Sequence, residues 1–187
     1  MVKKINTCVF ISGNGSNLKS IIKCSRDYNF PVKIKLVISN NKKAFGLNYA
    51  KKYNIPYKFY SSRNRNNFEK NCLIELKKRK IKFLCLAGFM KILSKNFIKK
   101  FSYKIINIHP SLLPKFKGLN THRRVIKNKE KYTGCTVHYV NSKLDSGNII
   151  LQKKIMIKKN DNEESLKKRV LIEEHKLYPE AIRTVFK

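Results

Sequence analysis

The chain has 187 residues, 42% of them apolar, which suits one compact domain with a core of its own. Its 43 Lys and Arg against 11 Asp and Glu give a net charge of +32, but the basic residues are spread along the whole chain. No RNP aromatic strand, C2H2 spacing or separable basic arm accompanies them, so a dedicated nucleic-acid binder is disfavoured. The longest apolar run, Phe83 to Met90, is broken by Lys91 and falls short of the ~20 residues of a membrane span.

Lysine, asparagine and isoleucine are over-used together, as a coding bias on permissive surface positions would produce; the resulting field still attracts anionic metabolites. The five cysteines are scattered without a C-x-x-C pair, so neither a disulfide framework nor a zinc ribbon is signalled, and no metal is expected. The N-terminal MVKKINTCVF runs straight into polar SGNGSN with no cleavage pattern. A soluble protein of the reducing cytoplasm, with no membrane partner, is the expectation.

In chain order, apolar runs bounded by turn residues predict strands at Ile5 to Ile11, Ile34 to Ile38, Phe83 to Ala87 and Ile105 to Ile108, with helical stretches between them. That alternation reads as α/β with a mostly parallel central sheet. The first helix is expected to be capped by Ser16 or Asn17 and to run through Leu18, Ile21 and Ile22. Ala44 to Tyr53 and Phe68 to Lys80 have helical spacing, the latter with Phe68, Cys72 and Leu76 on one face. After Pro114, GCTVHYV and NIILQKKIMI read as strands joined by NSKLDSG, a hairpin-like pattern that predicts antiparallel strands in the C-terminal half. A last helix is placed at Glu163 to Leu177, ending before Pro179. No internal repeat or linker divides residues 1–187, so one domain is expected.

Two stretches carry chemistry. SGNGSNL, Ser12 to Leu18, follows a strand and opens a helix, where backbone amides and the helix dipole favour an anion. Leu18 stands where a dinucleotide fingerprint needs glycine, and the Walker lysine is absent, so a single phosphate fits better than NAD or ATP. A tight strand-to-helix turn with no ligand is the competing reading. The second stretch is INIHPSLLP, where alternation puts Asn107 and His109 on one strand face, at a strand end closed by Pro110.

Downstream, LDSG offers Asp145 in a turn. A carboxylate beside an imidazole orients it and favours its charged form, and an asparagine amide can donate to a developing oxyanion. Amide, imidazole and carboxylate together suit acyl transfer without a serine or cysteine nucleophile, although Asp145 as a turn former and Asn107 as a strand-edge cap are ordinary alternatives. His138 in TVHYV reads as a structural histidine, and Glu173 and Glu174 lie on a basic helix where pairing with lysines is the usual fate.

SGNGSNL, AGFMKILS, NIHPSLLPKFKGLNTH and GCTVHYVNSKLDSGNIILQ, in this order and spacing, closely resemble the phosphoribosylglycinamide formyltransferases over essentially the whole chain. The resemblance implies a Rossmann-like domain, with helices on both faces of the sheet, that passes the formyl group of 10-formyltetrahydrofolate to the amine of glycinamide ribonucleotide in purine synthesis. It implies Asn107, His109 and Asp145 as the catalytic trio, and Gly15, Ser16 and Asn17 as the phosphate cradle, with Glu174 holding the glycinamide. For the folate it implies Arg65, with Arg63 two residues away, then Met90, Lys91, Ile92 and Leu93, then Asn107, and the loop Asn141, Ser142, Lys143, Leu144 and Asp145. Small-molecule substrates and a monomer or homodimer follow.

Three departures accompany the match: Lys91 replaces the usual arginine, Ser146 a common glycine, and the chain stops early, which bears on edge stability. Methionyl-tRNA formyltransferase and formyltetrahydrofolate hydrolase share the chemistry but carry further domains. If the reading holds, Asp145 lies within reach of His109, beside the mouth of the Gly15 loop.

Overall fold

A computed structural model describes residues 4–187. In chain order the elements are β1 (Ile5–Ile11), α1 (Ser16–Ser25), β2 (Val32–Ser39), α2 (Gly46–Lys52), β3 (Tyr57–Phe59), α3 (Arg65–Lys78), β4 (Phe83–Leu86), α4 (Lys95–Phe101), β5 (Ile105–His109), α5 (Thr121–Lys127), β6 (Tyr132–Tyr139), β7 (Ile149–Met156) and α6 (Glu163–Val185). They form one sheet in the order β3-β2-β1-β4-β5-β6-β7. Strands β1 to β5 pair in parallel, whereas β5–β6 and β6–β7 are antiparallel, as the change of texture after Pro114 predicts.

The strand order reverses between β1 and β4, because the chain builds outward to β3 and then crosses back. At such a switch point the loops leaving neighbouring strands diverge and open a crevice beyond the C-terminal strand ends. The glycine loop leaves β1 there and residues 87–94 leave β4 beside it.

Each sheet face buries its own apolar layer. On one side Val9, Ile11, Cys85, Ile106 and Ile108 pack against Leu18, Ile21 and Ile22 of α1 and Val170, Tyr178 and Ile182 of α6. On the other, Phe10, Leu84 and Leu86 meet Phe68, Cys72 and Leu76 of α3 and Phe97 of α4. The face predicted for Phe68, Cys72 and Leu76 is thus the buried one. Cys8 and Cys85 are fully buried, and desolvation pushes both thiols well up, in keeping with small core hydrophobes.

Two expectations change. Helix α1 is capped by Gly15, in a left-handed conformation with φ 70°, rather than by the side chain of Ser16 or Asn17. Helix α6 does not stop before Pro179 but continues to Val185. An interior proline costs about 3 kcal/mol; burying Ile182 and Val185 beyond it returns about 1.5–3 kcal/mol for each side chain, so the longer helix wins. Three further elements escape the pattern: β3 with 3 residues, and α4 and α5 with 7 each.

Candidate active site

Strand β5 sets the site. Ile106 and Ile108 point into the layer under α6, so Asn107 and His109 project from the opposite face, where Asn107 is in register with Leu86 of β4 and His138 of β6. Over β4 that face is covered by α3 and α4. Over β5 and β6 the cover is two loops, residues 110–120 and 140–148. Leu113 N–H donates to Thr136 Oγ1 at 3.1 Å, and Gly118 N–H donates to Asp145 Oδ2 at 2.9 Å, tying both loops to the face and to each other.

Asp145 reaches the strand through that loop, with φ 44°, and its side chain is nearly enclosed. Its Oδ2 lies 3.3 Å from His109 Nδ1, so the predicted meeting of Asp145 and His109 occurs. His109 Nε2 lies 2.9 Å from the Phe116 carbonyl oxygen, which leaves both ring nitrogens facing acceptors. The Ser146 hydroxyl donates to Leu144 O at 2.7 Å and accepts from Lys117 Nζ at 2.6 Å, fastening the Asp145 loop to residues 115–120.

His138, expected to be structural, completes the cluster. Its Nδ1 donates to Tyr139 O at 2.8 Å, and its Nε2 lies 3.3 Å from Asn107 Nδ2. Burial pushes this imidazole below its ordinary value, outweighing the opposite pull of the Tyr139 carbonyl and of Asp145, whose Oδ1 is 3.7 Å away and beyond hydrogen-bond range. A neutral ring with its proton on Nδ1 presents Nε2 as an acceptor, so Asn107 donates one N–H to it and keeps the second for another partner. Because β5 and β6 are antiparallel with Asn107 opposite His138, this contact depends on long-range register that neither segment reveals alone.

The glycine loop lies two strands from Asn107. Phe10 pairs with Leu86 and Leu86 with Asn107, a separation of about 10 Å at the strand spacing of a sheet. Gly15 and Ser16 stand at the open N-terminus of α1. Asn17 is buried, and its Nδ2 donates to Glu174 Oε2 at 2.6 Å, joining α1 to α6. Glu174 therefore escapes the lysine pairing common on helices, while its neighbour Glu173 pairs with Lys176 at 2.8 Å. The Asn17 Oδ1 is buried without a donor among the described residues.

Desolvation pushes the Glu174 carboxyl up to about 7, against the lowering effect of Asn17. A carboxyl raised on folding contributes its stability below the unfolded value and loses it as pH rises through about 7. Unfolding free energy is accordingly expected to fall by roughly 3 kcal/mol at most between pH 4.5 and 8 from this group, and Glu174→Gln should flatten that slope in denaturant titrations.

Of the remaining predicted residues, Met90, Lys91 and Ile92 are exposed in the segment leaving β4, Leu93 is buried beneath it, and Asn141 to Leu144 are exposed in the Asp145 loop. Arg65 opens α3 on the solvent side. It lies one turn before Glu69, whose carboxylate bonds Ser94 at the far end of the Met90 to Leu93 segment, so Arg65 shares that face. Arg63 precedes the Asn64 cap and has no such phase.

A sequence profile of the formyl transferase family matches residues 5–182. The chain is 42% identical over 188 residues to the trifunctional purine biosynthetic protein adenosine-3 of Homo sapiens, covering 98% of this chain and 18% of the human one. It therefore spans about a fifth of that relative's length. Phosphoribosylglycinamide formyltransferase of Haemophilus influenzae is 42% identical over 185 residues, with 97% of this chain and 86% of that protein covered. Among solved structures, phosphoribosylglycinamide formyltransferase from Anaplasma phagocytophilum superposes with a TM-score of 0.90 at 41% identity, covering 96% of this chain and 85% of the other. The chain belongs to the formyl transferase family.

Proposed function

We propose that this protein transfers the formyl group of 10-formyltetrahydrofolate to the amine of glycinamide ribonucleotide. The observation that carries the reading is the cluster of buried His109 and His138 with half-buried Asn107 and Asp145 on the β5–β6 side of the sheet's switch point, two strands from a glycine loop at a helix N-terminus. A phosphate suits the amides of Gly15 and Ser16, and a glycinamide N–H suits the donorless Asn17 Oδ1 and the Glu174 carboxyl beside it.

For the formyl donor, the fit rests on apolar side chains held in the open around the cluster. Met90 is 63%, Ile92 57% and Leu144 47% exposed, in the two segments that flank Asn107 and Asp145. Exposed apolar residues grouped beside polar ones are a usual lining for a ring-bearing ligand. The bound folate would supply the formyl carbon and a nitrogen leaving group.

The substrate amine attacks the formyl carbon, a C–N bond forms, the bond from that carbon to the folate nitrogen breaks, and one amine proton ends on the released folate nitrogen. Asn107 offers its free N–H to the formyl oxygen as negative charge develops there. The His109 imidazolium adds a second donor once its Nε2 exchanges the Phe116 carbonyl for that oxygen. Asp145 holds the ring through Nδ1 and is itself fixed by Gly118 N–H. Neutral His138 fixes the Asn107 amide. The five thiols, all unpaired, suit a reducing cytoplasmic setting.

Assays with 10-formyltetrahydrofolate and glycinamide ribonucleotide, run in parallel with formyl-acceptor tRNA, test the reading. Formylation of the ribonucleotide is expected. Turnover of the tRNA alone would overturn it, and salt-sensitive RNA binding with no formyl transfer would point instead to the basic field.

A further inference from the structure

Residues 87–94 carry Met90, Lys91 and Ile92 into solvent, yet hydrogen bonds from other elements hold the segment at both ends. Near its start, Met90 N–H donates to Ser12 Oγ at 2.8 Å. That hydroxyl donates in turn to Asn40 Oδ1 at 2.7 Å, and Asn40 Nδ2 donates to Ser62 Oγ at 3.2 Å. Ser12 N–H also donates to Gly88 O at 3.1 Å. Near its end, Ser94 N–H donates to Glu69 Oε1 at 2.7 Å and its hydroxyl to Glu69 Oε2 at 2.5 Å.

Glu69 is 6% exposed and makes no ion pair among the described residues. Burying a carboxylate without a cation is costly unless hydrogen bonds replace its water. Capping α4 does not require it, because Ser94 Oγ already accepts from Phe97 N–H at 3.0 Å. What Glu69 adds is a fixed distance between α3 and the end of the exposed segment, while Ser12 fixes its start to the glycine loop.

We propose that Glu69 and Ser12 are positioning residues that hold Met90 to Leu93 as a preformed wall of the formyl-donor site. The inference rests on the formyl-transfer reading. It extends that reading to two residues that touch neither substrate: one joins the wall to the helix bearing Arg65, the other to the phosphate cradle. A wall fixed before binding saves the ordering cost that a loose segment would impose on the ligand.

The test measures steady-state kinetics, calorimetric binding of tetrahydrofolate, and hydrogen exchange at the Met90 and Ser94 amides. For Glu69→Gln, the KM for the formyl donor and the Kd for tetrahydrofolate are expected to rise roughly tenfold, with kcat changed less than about threefold and the ribonucleotide KM unmoved. Exchange at Ser94 should quicken. Ser12→Ala should act in the same direction at Met90. Ser94→Thr, which keeps both the hydroxyl and the cap, should behave as wild type.

An active wild type whose Glu69→Gln variant has unchanged donor KM and tetrahydrofolate Kd would overturn this inference alone. Equal losses for both substrates, tracking a fall in Tm, would also overturn it by reducing Glu69 to a structural role. A wild type that neither turns over nor binds reduced folate would overturn the functional reading itself.

Discussion

His109→Ala is expected to lower kcat by about 10²-fold or more, the usual consequence of removing a preorganised donor from a developing oxyanion. The side chain is buried and its Nδ1 faces Asp145 Oδ2 at 3.3 Å, which fixes the ring, while its Nε2, 2.9 Å from the Phe116 carbonyl oxygen, exchanges that acceptor for the oxyanion. Asn107→Ala should cost a similar factor, because the amide is aligned by His138 and has one N–H to spare. Asp145→Asn keeps an oxygen for Gly118 N–H but removes the negative charge beside the imidazole. It should lower kcat.

These losses should not add. In a group of residues that act as a unit, the first removal forfeits most of what the others contribute. The double variant His109→Ala, Asp145→Asn is expected to be little slower than His109→Ala. Near-normal turnover of either single alanine variant would remove the trio from the chemistry, whatever its geometry.

The parts of this site that could be read from sequence are those that depend on local period. Alternation alone puts Asn107 and His109 on one face, and helical spacing alone puts Phe68, Cys72 and Leu76 on another. His138 could not be assigned this way, because TVHYV reads as an ordinary buried face until β5 supplies Asn107 opposite it. Spacing alone shows Asp145 as a carboxylate in a turn, and only the family resemblance makes it a partner of His109, since it reaches the ring through a left-handed residue and the amide of Gly118. Pro179 misled for the opposite reason: a local rule about helix interiors gave way to the burial of Ile182 and Val185. That Arg65 stands in the first turn of α3 and Arg63 before it becomes visible only once Asn64 is seen to cap the helix.

Gly15→Ala should be the most damaging change in the glycine loop. Gly15 has φ 70°, and an added Cβ would lie 2.5 Å from the Cα of Gly46. Gly46 is equally confined: a Cβ there would meet Gly15 Cα at 2.9 Å and Ile11 Cδ1 at 2.7 Å, while its N–H donates to Gly13 O at 3.0 Å. Both atoms at the Gly15 to Gly46 contact are backbone, so neither can turn aside, and the loop must part from α2. A left-handed L-residue costs about 1–2 kcal/mol on its own; with the clash, a loss of about 2–4 kcal/mol in unfolding free energy is expected.

The same displacement moves the amides of Gly15 and Ser16, so ribonucleotide affinity should fall by about 10²-fold or more, because each amide hydrogen bond to a charged phosphate is worth about 1.5–3 kcal/mol. Tetrahydrofolate affinity should change less, since among the described residues the loop's hydrogen bonds to that wall run through Ser12. Gly13→Ala is the control, because a Cβ at Gly13 meets nothing within 4 Å; it should leave Tm close to wild type. Calorimetric titration with glycinamide ribonucleotide separates the cases. A folded Gly15→Ala protein that binds the ribonucleotide as tightly as wild type would mean that the loop is a tight turn and the phosphate is held elsewhere.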